Sequence, residues 1–229
     1  KIVRQSLFSS PPRLYAIARA AESGRHIVDV GTDHGYIPVW LALRGQTERI
    51  TATDIRPGPL ERAMRSAEAH GVESRIRFVL CDGLSYDGAS AADSVIIAGM
   101  GGETIISILA GAPWTKSGTR LILQPQTRQD ELCVWLAGEG YPLDGAVLAE
   151  DAGRLYAIIS AHGDGVSRRP VFIEDVLAEN RDPLLPCWLD ARIAVLQKAA
   201  GGLALARSGT DGLWVGGRLQ RLQSIREGI

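Results

Sequence analysis

Up to Gly140 the apolar residues fall alternately into short continuous runs and into stripes with a helical period. Continuous runs of β-formers predict buried strands, and recurrence every three or four residues predicts amphipathic helices. The first helix is predicted over 11–24, with Leu14, Ile17, Ala18 and Ala21 on one face and Gly24 as its stop. A strand ending at Val30 follows, then a helix over 37–44 that tolerates Pro38 in its first turn and ends near Gly45. Arg49–Asp54 is the second predicted strand, Pro59–His70 a helix, and Arg75–Asp82 the third strand. Ser94–Ala98 is the fourth, leading through Gly99-Met-Gly-Gly102 into a helix that closes near Ala110. Thr119–Gln124 is a fifth strand, with Pro125 as its end, and Asp130–Glu139 a helix closed by Gly140. Ala146–Glu150 and Arg154–Ser160 flank Asp151-Ala-Gly153, the spacing of a tight hairpin at a sheet edge.

Strands and helices that alternate in this way demand a mostly parallel sheet with helices on both faces. The expected class is therefore α/β and Rossmann-like, and the closing antiparallel pair separates it from a plain dinucleotide-binding fold. Past Gly165 the strand runs cease. Helices are predicted over 171–179, 185–198 and 213–226, the second striped by Leu189, Ile193 and Leu196, with glycines interrupting the stretch between the last two. Two domains are expected, 1–164 and a helical extension over 165–229.

Composition narrows the function classes. The net charge of −1 carries no global field that would announce a nucleic-acid partner. The first 26 residues are locally basic, with Lys1, Arg4, Arg13, Arg19 and Arg25 against Glu22. Cys81, Cys133 and Cys187 lack metal-ligand spacing and read as reduced, small core hydrophobes. No metal is expected. No apolar run reaches membrane-spanning length and no secretory leader is visible, so no membrane partner and a cytoplasmic location are expected. The start at Lys1 rather than Met is compatible with a trimmed terminus.

The chemistry stands at the ends of the first four predicted strands, the edge where open α/β sheets bind ligands. Asp29 and the turn from Gly31 to Gly35 follow the first, Asp54 and Ile55 the second, Asp82 and Gly83 the third, and Ala98 to Gly101 the fourth. An acid after the second strand suits both ribose hydroxyls of an adenosine cofactor, and one after the third suits the adenine amine. A pyrophosphate tail would call for G-x-G-x-x-G, which is absent. Acids at Asp29 and Asp33 instead suit the ammonium and sulfonium charges of S-adenosyl-L-methionine. The expected cofactor set is Asp29, Gly31, Thr32, Asp33, His34, Gly35, Tyr36, Asp54, Ile55, Asp82, Gly83, Ala98, Gly99 and Gly101. Asp33 is either a carboxylate for the substrate or a residue that caps the next helix or holds the turn. His34 makes a local hydrogen bond or meets the substrate. Tyr36 packs on the cofactor or fills the core.

Gly31-Thr-Asp-His-Gly-Tyr-Ile-Pro38, Ile97-Ala-Gly-Met-Gly-Gly102 and Leu121-Ile-Leu-Gln-Pro125 resemble the bacterial tRNA (adenine(22)-N1)-methyltransferases, the TrmK family. The resemblance covers about residues 10–160. It implies a class I methyltransferase domain with a seven-stranded sheet and a coiled-coil-like helical extension. It also implies tRNA as partner, S-adenosyl-L-methionine as donor and S-adenosyl-L-homocysteine as product, with adenine N1 as the methylated atom. In that setting Asp33 and Met100 are the expected catalytic residues, and Arg4, Arg13, Gln124, Pro125 and Gln126 the expected RNA contacts. Arg168, Arg169, Arg181 and Arg192 are further candidates for phosphate. A monomer or weak dimer is expected. Two positions depart from the family pattern: Gln126 stands where Asn is usual, and Ala157 where an acid is usual. The competing functions are a small-molecule methyltransferase and a cofactor-binding module without catalysis.

Overall fold

The structure is a computed structural model. It describes the backbone over 11–21, 24–206 and 209–229, and the side chains of these residues except 201–212. The chain divides into two compact units, one closing at Phe172 and one opening at Ile173. Arg4, Lys1 and Glu22 lie outside the described residues.

The first unit is built on a seven-stranded sheet: β1 (His26–Val30), β2 (Arg49–Asp54), β3 (Ile76–Leu80), β4 (Ser94–Gly101), β5 (Arg120–Thr127), β6 (Leu143–Asp151) and β7 (Arg154–His162). Their order is β3-β2-β1-β4-β5-β7-β6. β1 to β5 run parallel, while β7 is antiparallel to both β5 and β6. The helices are α1 (Pro12–Ala21), α2 (Tyr36–Arg44), α3 (Pro57–Ala69), α4 (Gly102–Ala110) and α5 (Gln129–Glu139).

All five residues of β1 are buried. That follows from a central parallel strand paired on both sides and covered on both faces. Asp29 is drawn into this strand, level with Ala52 on β2 and Ile96 on β4. The direction of strand succession reverses between β1 and β4, so a crevice opens beyond their carboxyl ends. α1 buries Ile17, Ala18 and Ala21, and its Tyr15 ring meets Trp40 of α2 edge-on at 5.9 Å. Burial of such side chains contributes about 1.5–3 kcal/mol each for the large ones.

Several predicted boundaries move. β5 does not stop at Pro125 but continues to Thr127. The register with β4 shifts on either side of Met100, where Pro125 stands opposite. A bulge tolerates a proline because no ladder donor is needed there. For the same reason β4 extends through the glycines to Gly101 rather than ending at Ala98. β6 and β7 are longer than predicted; their two-residue turn, Ala152 at φ 49° and Gly153 at φ 73°, has the positive-φ pattern that matches strand twist. β6 alone of the pair lies at the sheet edge, because β7 is inserted against β5.

The second unit comprises α6 (Ile173–Glu179), α7 (Leu185–Ala206) and α8 (Gly209–Glu227). α7 and α8 pack together, with Leu189, Trp188 and Leu222 buried. Arg226 donates to Asp190 at 2.8 Å, and the buried Arg218 pairs with the buried Glu174. The glycines after Ala200 do not end α7, contrary to the prediction. Each costs a helix only about 1 kcal/mol, which a packed neighbour can offset. The cysteines are free but not uniformly core: Cys133 is buried, Cys81 half-buried and Cys187 exposed. Cys187 faces solvent because a position early in α7 lies off the packed stripe of Trp188 and Leu189. No helix among the described residues is long and apolar enough to cross a membrane.

Candidate active site

A cavity of about 700 Å³ occupies the crevice beyond β1 to β4. Its deepest acid is Asp29, 3% exposed. Burial pushes this carboxyl up to about 6, and the neighbouring Asp54 charge adds to the effect while the nearby Thr32 hydroxyl opposes it.

The turn after β1 is fixed from three sides. The backbone N–H groups of Gly31 and Thr32 both donate to the Thr53 carbonyl of β2 at 2.9 Å. Gly35, at φ 70°, backs onto α3, where a Cβ would lie 2.9 Å from the Ala63 Cα. A side chain there would meet backbone that cannot yield, so only glycine fits. Gly31, at φ 71°, is covered by the Met100 methyl, which a Cβ would overlap. Between them Asp33 adopts φ 48°, a conformation that Asp reaches more easily than most residues.

The Asp33 carboxylate does not cap α2. Gly35 takes the cap position without any side-chain hydrogen bond. Instead Arg62 of α3 donates to Asp33 Oδ1 at 2.8 Å, and His34 Nε2 lies 3.8 Å from Oδ2. The His34 ring stacks on Tyr36, with centroids 5.5 Å apart and planes 11° apart. Tyr36 is 52% exposed, which corrects the core alternative: as the first residue of α2 it points away from the packed stripe.

Asp54 is buried at the end of β2 and faces the same cavity. Its Oδ1 accepts the Arg56 N–H at 3.0 Å, and its Oδ2 the Asp33 N–H at 3.4 Å. Ile55, Asp82, Gly83, Ala98, Gly99 and Met100 complete the predicted lining. Thr53 donates its hydroxyl to the Gly83 carbonyl at 3.2 Å and thereby joins the ends of β2 and β3.

The floor after β4 is held through Gln124. Its buried Oε1 accepts the Gly99 N–H at 3.2 Å and an Arg13 N–H at 3.0 Å. The Arg13 guanidinium also lies over the Tyr156 ring, 5.1 Å from its centroid, and 3.8 Å from Asp151. Arg13 and Gln126 reach the lining, whereas Gly35, Gly101, Gln124 and Pro125 stand behind it. Ala157 is wholly buried in β7. Arg168 pairs with Asp164 at 2.7 Å, away from this lining. Sequence reasoning missed Thr104, Ser107 and Ile108 of α4, which wall the cavity. Their spacing of three and four, directly after the glycine floor, was the available signal.

Four carboxylates line the cavity, Asp29, Asp33, Asp54 and Asp82, with the guanidinium groups of Arg13 and Arg56. A pyrophosphate would meet repulsion at each acid. A ligand with hydroxyls, an amine and positive charge finds acceptors at each. The residues therefore fit S-adenosyl-L-methionine. Among the described residues no group of three or more ligating side chains is placed to hold a metal ion.

Fold and site together define an S-adenosyl-L-methionine-dependent methyltransferase, and residues 10–159 match the methyltransferase domain family. The chain is 34% identical over 163 residues to the tRNA (adenine(22)-N(1))-methyltransferase of Bacillus subtilis, spanning 68% of each protein. It belongs to that family. Its structure is similar to that of the B. subtilis m1A22 tRNA methyltransferase TrmK, with a TM-score of 0.79 at 27% identity, covering 95% of this chain and 99% of that one. It is also similar to a Streptococcus pneumoniae protein solved in complex with S-adenosyl-L-methionine, with a TM-score of 0.73 at 29% identity, covering 93% and 98%.

Proposed function

We propose that this chain methylates N1 of adenine 22 in tRNA, with S-adenosyl-L-methionine as methyl donor. The supporting observation is the four-carboxylate cavity at the sheet's switch point in a chain of this family. Asp54 is suited to the ribose hydroxyls, Asp82 to the adenine amine of the donor, and Asp29 to the positive charge of its tail. The donor supplies a methyl group activated by its sulfonium.

The chain's own task is then placement. Adenine N1 carries a lone pair, so in-line attack needs orientation more than a base. As N1 forms its new bond the base becomes cationic. A carboxylate at its Watson–Crick edge offsets that charge. Asp33 is assigned this role, with Arg62 holding one carboxylate oxygen in place. Met100, lying across Gly31, shapes the floor beneath the base together with Gly99. Arg13 is tied to Gln124, Asp151 and Tyr156, so we assign it to holding that floor, and Gln126 to the base edge. Arg4 remains a candidate for phosphate.

An adenine inside folded tRNA must be turned out of its stack, at a cost of a few kcal/mol that contacts elsewhere offset. We read the protein as cytoplasmic, in keeping with a tRNA substrate, and as a monomer or weak dimer. Transfer of labelled methyl to unmodified tRNA transcripts tests the assignment. Transcripts with adenosine at position 22 are expected to be labelled, and matched transcripts with guanosine there to stay at background. Equal labelling of both, or of neither, contradicts it.

A further inference from the structure

The rim of the cavity differs in chemistry from its interior. Inside, the turn and strand ends present carboxylates. At the mouth, the same turn presents two stacked rings, His34 and Tyr36, with half of Tyr36 open to solvent. An aromatic face of that size is exposed beside a charged cavity instead of being packed in the core. The turn that carries the pair is pinned at Gly31 and Thr32 by the Thr53 carbonyl and at Gly35 by its close approach to Ala63. Asp33, next to His34, is held by Arg62. His34 stacks on the Tyr36 ring, which stays half open to solvent.

We propose that the His34–Tyr36 pair is a stacking platform for a nucleobase of the RNA substrate at the mouth of the cavity. This rests on the tRNA reading above and adds a subsite to it. Every nucleobase offers a π-face, and base–aromatic stacking tolerates any sequence. A base turned out of the RNA loses its neighbours, and a rigid ring replaces one of them. The stack on His34 already orders the Tyr36 ring in part, which lowers the side-chain freedom lost when the base arrives. The subsite supplies affinity at the cavity mouth that the exterior charge of a near-neutral protein does not.

The test compares Tyr36→Leu and Tyr36→Phe with the wild-type protein. Leucine keeps an apolar side chain but no ring face, while phenylalanine keeps the face. Affinity for an unmodified tRNA transcript is read by fluorescence polarisation, affinity for S-adenosyl-L-methionine by calorimetry, and folding by thermal denaturation. Tyr36→Leu is expected to bind tRNA roughly tenfold to a hundredfold more weakly, with a matching rise in KM for tRNA. Its melting temperature should stay near that of the wild type. Tyr36→Phe should bind tRNA within about threefold of it, since the ring face is retained. If Tyr36→Leu binds tRNA as tightly as wild type, the platform is overturned while the tRNA reading stands. If donor affinity falls instead, the ring packs on the donor and the platform is likewise overturned. A wild-type protein that binds no tRNA overturns the functional reading itself, and the platform with it.

Discussion

Asp54→Ala is expected to weaken binding of S-adenosyl-L-methionine about a hundredfold. A hydrogen bond to a charged group contributes about 1.5–3 kcal/mol, and a carboxylate placed against vicinal ribose hydroxyls makes two. Asp54 is buried and faces the cavity, so these bonds are little weakened by solvent. Its loss also releases the Arg56 N–H and the Asp33 N–H, which its two oxygens accept. The turn after β1 and the start of α3 would both loosen. Asp54→Asn keeps the shape and one acceptor but no charge, so its affinity should fall between the two. Calorimetry reads both variants directly, and unchanged affinity in Asp54→Ala would remove this residue from the site.

The second large effect concerns Asp29 and has opposite signs for stability and for binding. Its carboxyl is raised from 3.8 to about 6, chiefly by burial. The folded state therefore holds its proton more tightly than the unfolded state. Below the unfolded value both states are protonated and the residue costs nothing. Between about pH 4 and pH 6 the unfolded chain releases its proton first, so stability falls as pH rises. Above pH 6 the cost is constant, about 3 kcal/mol from a shift of about two pH units. Asp29→Asn should therefore stabilise the protein by up to about 2–3 kcal/mol at pH 7.5 and by much less at pH 4, in urea titrations at the two pH values. The same substitution should weaken donor binding, because a carboxylate facing a cation is lost. In the wild type, donor affinity should fall as pH drops through about 6, where Asp29 takes up its proton. Asp29→Asn should lack that dependence. A variant that is no more stable at pH 7.5 would show that the carboxyl is not held at a cost.

The two results together describe a site that is unfavourable when empty and suited to a positively charged guest. The like charges of Asp29 and Asp54 are brought together by the parallel register of β1 and β2, and the ligand relieves what folding imposes.

Much of this was legible in the residues. The alternation of strands and helices defined a mostly parallel sheet, and acids at the strand ends marked the edge that binds ligand. Those signals are local, so periodicity and position along a strand reveal them. Other features depend on contacts between distant segments. Nothing in Pro125 alone announces that β5 passes through it, because the bulge that admits it is set by Met100 on the neighbouring strand. Arg13 reads as a surface arginine until α1 brings it to Gln124, 111 positions away. Asp33 resembles a helix cap in sequence, yet its partner is Arg62 on α3, 29 positions away. Tyr36 fits a core pattern as well as a rim, and only its exposure separates the two.

The most direct test of the account is the identity of the methylated nucleoside. A tRNA transcript with adenosine at position 22 is incubated with the protein and S-adenosyl-L-methionine, digested, and its nucleosides are separated and weighed by mass spectrometry. The account predicts 1-methyladenosine, arising from the fragment that contains position 22. A product methylated on the exocyclic amine, on another base or at another position would contradict it, as would donor binding with no methylated nucleoside.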